Sequence, residues 1–325
     1  MHKKYLFIAI VTVLIIACEK DDNNNDTTEY TVTMGQDYVN DVYYNLSEES
    51  SSEVTRNNWD IGFATYVMSP SIIINSGAGV ELYEISRDTA VWYSPVDTTG
   101  MSSWTKLNNS LITWDVGAFS GNMAGGFDFG WGIYDHVSKN VSGAAVYLIK
   151  LQDGTLKKIF IRQKNGYENT VYFLYANTDG SDEQLVALAN NPYADKEYVY
   201  YSISDDLVVD REPPKDNWDL LFTKYFDTQI QYGVTGILIK PGVSVAKVPD
   251  VSPASADTTM AQFSSSPAAI GYDWKEYDMI NNQYTLADDL SYFIKTASGE
   301  VFQIYFTHFE GGATGLIQFS KKQIK

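Results

Sequence analysis

Two side chains able to hold a metal stand at matching places in a repeated motif. Trp131-Gly132-Ile133-Tyr134-Asp135 recurs as Trp274-Lys275-Glu276-Tyr277-Asp278, and the residue that follows is His136 in one copy and Met279 in the other. Imidazole and thioether are the neutral groups that ligate haem iron axially. A lone histidine is more often a satisfied surface or core residue and a lone methionine more often packing, so the spacing alone leaves both readings open.

Other chemistry is sparse. Beyond residue 17 the only histidines are His136 and His308, and no nucleophile elbow, phosphate-binding loop or zinc-ligand spacing is present; Gly125-Gly126 is too bare to count. Asp60 and Asp219 each follow a tryptophan, a pattern that fits a packed indole with a turn-capping carboxylate better than an acid pair. No catalytic constellation repeats in both copies, so the chain reads as a binder and not an enzyme. Its 24 Tyr, 15 Phe and 7 Trp allow a second reading. A carbohydrate-binding or adhesive module would use exposed aromatics such as Trp131 and Trp274 as stacking platforms.

The elements that must position these residues come in two sets. Asn58-Trp59-Asp60-Ile61-Gly62-Phe63 returns as Asn217-Trp218-Asp219-Leu220-Leu221-Phe222, each after a tyrosine pair, Tyr43-Tyr44 and Tyr200-Tyr201. Further on, Tyr147 to Lys150, Gly154, Ile159, Gly166 and Val171 match Tyr292 to Lys295, Gly299, Ile304, Gly311 and Leu316 at one constant offset of 145. Short β-branched and aromatic runs, such as Ser71 to Asn75, Val146 to Leu151, Lys157 to Ile161 and Val171 to Tyr175, are bounded by turn residues, and sustained helical periodicity is missing. Gln152-Asp153-Gly154-Thr155 and Ala297-Ser298-Gly299-Glu300 each read as a hairpin turn, with glycine taking the positive φ. The expected fold is all-β, with one β domain over residues 30–180 and a second over 183–325, divided at the polar stretch Asn177 to Asp182.

Residues 1–17 read as a lipoprotein signal peptide. Lys3 and Lys4 precede an apolar run from Tyr5 to Ile16, and Ala17-Cys18 offers a small residue before the only cysteine. The run is shorter than the roughly 20 residues of a membrane span. Lipidation of Cys18 would leave no thiol for disulfides, and residues 18–29, rich in Asp, Asn, Thr and Glu, read as a flexible acidic tether. The formal charge is −18 with Lys3 and Lys4 included, which argues against nucleic acid or anionic lipid as electrostatic partners.

Taken in order, Tyr30-Thr31-Val32-Thr33, Asn-Trp-Asp, the Trp-x-x-Tyr-Asp-His segment and the closing strands Val146 to Ile161 and Val171 to Tyr175 resemble the HmuY family of haem-binding lipoproteins from the Bacteroidota. The likeness runs through each repeat, in tandem, whereas the best-known members carry one unit. It implies an all-β fold that holds haem, the ligand and cofactor, between two axial side chains. One of these follows the tryptophan segment, which marks His136 and Met279; the other lies upstream, where Met101 and Met123 are candidates in the first copy and Met260 in the second. It further implies an outer-membrane lipoprotein displayed at the cell surface, because an acidic run after the lipidated cysteine resembles the family's surface-export signal, and an outer-membrane transporter that receives the haem. With Arg56, Arg87, Arg162 and Arg211 the only arginines beyond the signal, binding would rest on apolar ring burial and iron ligation.

Overall fold

A computed structural model describes residues 28–325; the expected signal peptide, Cys18 and all but the last two residues of the expected tether lie outside the described residues. The first repeat supplies β1 (Thr28–Thr33), β2 (Asn40–Asn45), β3 (Ser50–Thr55), β4 (Ile61–Ala64), β5 (Ile72–Ile74), β6 (Glu81–Ser86), β7 (Gly132–Asp135), β8 (Asn140–Gly143), β9 (Val146–Lys150), β10 (Leu156–Asn165) and β11 (Thr170–Asn177). The second supplies β12 (Gln184–Ala189), β13 (Tyr198–Ser202), β14 (Leu207–Val209), β15 (Leu220–Asp227), β16 (Tyr232–Ile239), β17 (Ser244–Val248), β18 (Lys275–Asp278), β19 (Gln283–Leu286), β20 (Ser291–Lys295), β21 (Val301–Phe309) and β22 (Leu316–Gln323). Each strand matches the one eleven places later. The fold is all-β: among the described residues the only helical pieces are 3-10 turns of three to five residues.

Pairing does not follow the repeat boundary. The sheet β14-β13-β4-β5 joins two strands from each repeat, and so does β16-β15-β2-β3. Strand β12 lies beside β11, and β1 beside β22 at the far end of the chain. The repeats have therefore exchanged their first three strands. One apolar core runs from Ile61 and Phe63 to Val199, Tyr201 and Ile203; the other combines Val32, Val42, Tyr44 and Leu46 with Leu220 through Phe319. Burying a Phe such as Phe63 or Phe173, whose rings stack at 5.2 Å, contributes roughly 1.5–3 kcal/mol.

The polar stretch Asn177 to Asp182, expected to divide two domains, is a hairpin inside the first core. Its turn is closed by Gly180 N donating to Asn177 O, with Gly180 at φ 91°. Asp-Gly marks a tight turn and a linker equally well, and here the flanking strands pair. At the N-terminus the expected tether yields to β1 two residues early, with Glu29 opposite Ser320. The hairpins at Gly154 (φ 88°) and Gly299 (φ 94°) form where the sequence places them.

The chain passes between cores twice, from β3 to β4 and from β14 to β15, and Asn-Trp-Asp sits at both crossings. Trp59 meets Tyr200 edge-on at 4.8 Å, and Trp218 meets Tyr43 in the same way at 4.9 Å. The motif carboxylates cap turns of the exchanged strands: Asp60 accepts from the Ile203 and Ser204 amides at 2.7 and 3.2 Å, Asp219 from the Leu46 amide at 2.9 Å. This is the turn-capping role expected of them. Between the cores Arg211 donates to Asp41 at 2.6 Å, with both side chains almost wholly buried.

Candidate functional site

Antiparallel strands β7 and β8 turn over residues 136–139, and His136 occupies the first position of that turn, exposed. Its ring lies 6.1 Å from that of Phe127 at 21°, and among the described residues no hydrogen bond engages it. Phe127 belongs to the loop that precedes β7, and its carbonyl accepts from the Tyr134 amide, which fixes the loop alongside the strand. Tyr134 in turn lies near both Phe127 (5.9 Å) and Phe129 (6.2 Å). Four rings thus run along one side of the hairpin and end at an imidazole whose nitrogens are open to a ligand.

Met279 holds the matching turn position between β18 and β19 and is 86 % exposed. Its hairpin lies against β21 of the second core, whereas β8 pairs with β10 of the first, so His136 and Met279 belong to two separate places. Of the upstream methionines, Met123 is exposed on the same loop as Phe127. Met101 opens a 3-10 turn on a different loop, next to Trp104, which packs on Tyr83. Met260, also exposed, sits in a turn whose amide bonds to Asp257 O, on the long connection from β17 to β18. Only Met123 shares a loop with a neighbour of His136.

Other residues singled out by sequence are committed to structure. Trp131 and Trp274 are buried, at 0 % and 1 % exposure, with indole N–H groups donating to Pro70 O and Gly271 O. Neither is a platform for a sugar. Arg211 is tied to Asp41, Arg56 donates to the carbonyls of Tyr38 and Gly77, and Arg87 pairs with Asp128, which leaves Arg162 as the exposed guanidinium without a salt bridge among the described residues.

A cavity of about 280 Å³ opens beside this hairpin, lined by Met68, Pro70, Phe129, Tyr134, Val141 and Tyr167 among others. That is near the small end of ligand pockets, roughly 300–1,000 Å³. Lys164 also lines it, 5 % exposed, and donates from Nζ to the carbonyls of Ser69 (2.6 Å) and Tyr66 (3.0 Å). Burial pulls its ammonium down to about 8, so it is still charged at neutral pH. Sequence reading passed over Lys164; the signal was available, because the repeat offset aligns this cation with Phe309.

No family model and no curated protein matches this chain. Among solved structures it is similar to apo PinO from Porphyromonas gingivitis, at a TM-score of 0.29 and 9 % identity, over 92 % of this chain and 97 % of that one.

Proposed function

We propose that the protein is a surface lipoprotein, anchored through Cys18, that captures haem and passes it to an outer-membrane transporter. The observation that carries this reading is the exposed, unengaged imidazole of His136 at the end of the ring run Phe129, Tyr134, Phe127. Imidazole is an axial ligand, and flat aromatic neighbours suit a flat apolar ring. On that side His136 would hold the iron, Phe127 would pack beside the imidazole, and Met123 is the thioether on the same loop as Phe127. Bound haem supplies the iron that takes the ligand; the chain supplies the imidazole and the apolar contact. The resemblance to HmuY-like lipoproteins points the same way.

Met279, 86 % exposed and a thioether where the first copy carries an imidazole, makes the second copy the weaker receptor. The carbohydrate reading lacks an exposed indole at either Trp131 or Trp274. Haemin added to purified protein should give a sharp Soret band that shifts in His136→Ala. A spectrum unchanged by that substitution would remove His136 from the site.

A further inference from the structure

The two cores differ where the hairpin meets its neighbouring strand. Tyr134 lies opposite Val141 across β7 and β8, while Tyr277 lies opposite Tyr284 across β18 and β19. Likewise Lys164 pairs with Val171 on β11, and Phe309 with Ile317 on β22. Tyr284 and Phe309 therefore stand where the first core has Val141 and Lys164.

In the second core these larger rings fill the space. Tyr284 lies 4.7 Å from Phe309 and 4.9 Å from Tyr277. It also closes on Gly311, where an added Cβ would stand 2.9 Å from its ring. In the first core Val141 ends short of this position and the 280 Å³ cavity stays open. The lining is largely apolar, yet it includes Lys164, whose ammonium is held at the carbonyls of Tyr66 and of Ser69, itself a lining residue. Two of the ammonium's three N–H bonds go to neutral carbonyls, and among the described residues no carboxylate pairs with it. A buried cation without a counter-ion is unfavourable, and an anionic group on a ligand relieves that. Lys139, exposed, lines the same cavity.

We propose that this cavity of the first core binds an apolar molecule ending in one carboxylate, the carboxylate on Lys164 and the apolar body against Phe129, Tyr134 and Val141, while Tyr284 and Phe309 plug its counterpart in the second core. A medium-chain fatty acid has this chemistry. Neither iron nor His136 takes part, and although Phe129 and Tyr134 also belong to the ring run of the haem reading, the proposal does not depend on haem capture.

Decanoate and decanol, titrated into the full-length chain and followed by calorimetry and NMR, test it. Decanoate should bind at one site, roughly tenfold or more tighter than decanol, the difference a charged hydrogen bond makes. Contacts in the NMR spectra should run from the decyl chain to the Tyr134 and Phe129 rings. Lys164→Met should bring decanoate down to the decanol level, Val141→Tyr should abolish both, and His136→Ala should change neither. Tyr284→Val, which leaves the first core untouched, should add a second, weaker site. Equal binding of acid and alcohol by the unaltered protein, no binding, or contacts elsewhere would overturn the proposal. Haemin that fails to bind while decanoate binds would instead count against the haem reading alone.

Discussion

Arg211 and Asp41, 170 positions apart, meet at 2.6 Å between the two cores, each side chain at most 3 % exposed. Tyr43 accepts a further bond from the guanidinium at 3.2 Å, and Thr223 donates to the other Asp41 oxygen at 2.7 Å. Burial alone would lower the guanidinium's affinity for its proton, but Tyr43 and Asp41 more than reverse this, so Arg211 holds it more tightly than usual. The pair fastens β2 of one repeat to the segment that follows β14 of the other.

Breaking one side of this pair should be expensive. Asp41→Asn or Arg211→Met leaves the partner uncompensated, and each is expected to cost about 3–5 kcal/mol in denaturant unfolding. Removing both charges together should cost less than the sum of the two single changes. Additive losses would mean that the two groups do not act on one another.

Stability should pass through a shallow minimum near neutral pH. Burial raises Glu212 to about 7, although the Glu197 amide and Tyr200 hydroxyl bond to it. Its folded value lies above the unfolded one, so the native state holds the extra proton and stability falls as pH rises from about 4.5 to 7. Burial lowers Lys275 to about 7 and Lys164 to about 8. Their unfolded forms hold the extra proton, so stability rises from about 7 towards 10.5. Glu212→Gln should flatten the acid limb and Lys275→Met the alkaline one, measured by urea midpoint against pH; a curve unchanged by both contradicts these assignments.

Strand exchange predicts which pieces can fold. Residues 30–180 alone carry β1 to β3 without their partners β15 and β22, and lack β12 to β14, so they should remain largely unfolded or pair with a second copy. Residues 58–210 hold the whole first core and should fold as a monomer, visible as dispersed amide NMR signals. The opposite outcome would show that each repeat folds on its own strands.

Much of the fold was legible because its signals are local. The apolar run Val146 to Leu151 and a glycine at Gly154 each report on neighbours in sequence, and both copies agree on them. Partner choice was not legible: β2 presents the same apolar pattern to β4 as to β15, and pairing across 176 to 180 positions leaves no period in the chain. For the site, the hairpin turn placed His136 and Met279 at equal positions as the repeat implied. The neighbour that sets His136 apart, Phe127, lies on a loop outside the repeated motif, so its closeness appears only in the folded chain. Trp131 looked like a platform because burial of an aromatic cannot be read from its identity.

The most direct measurement is the equilibrium affinity of purified protein for haemin, taken in parallel for the unaltered chain, His136→Ala and Met279→Ala. Loss of an axial ligand should weaken binding by at least tenfold in His136→Ala, about 1.4 kcal/mol, while Met279→Ala stays within error of the unaltered protein. Equal affinities for the unaltered protein and His136→Ala would contradict the account.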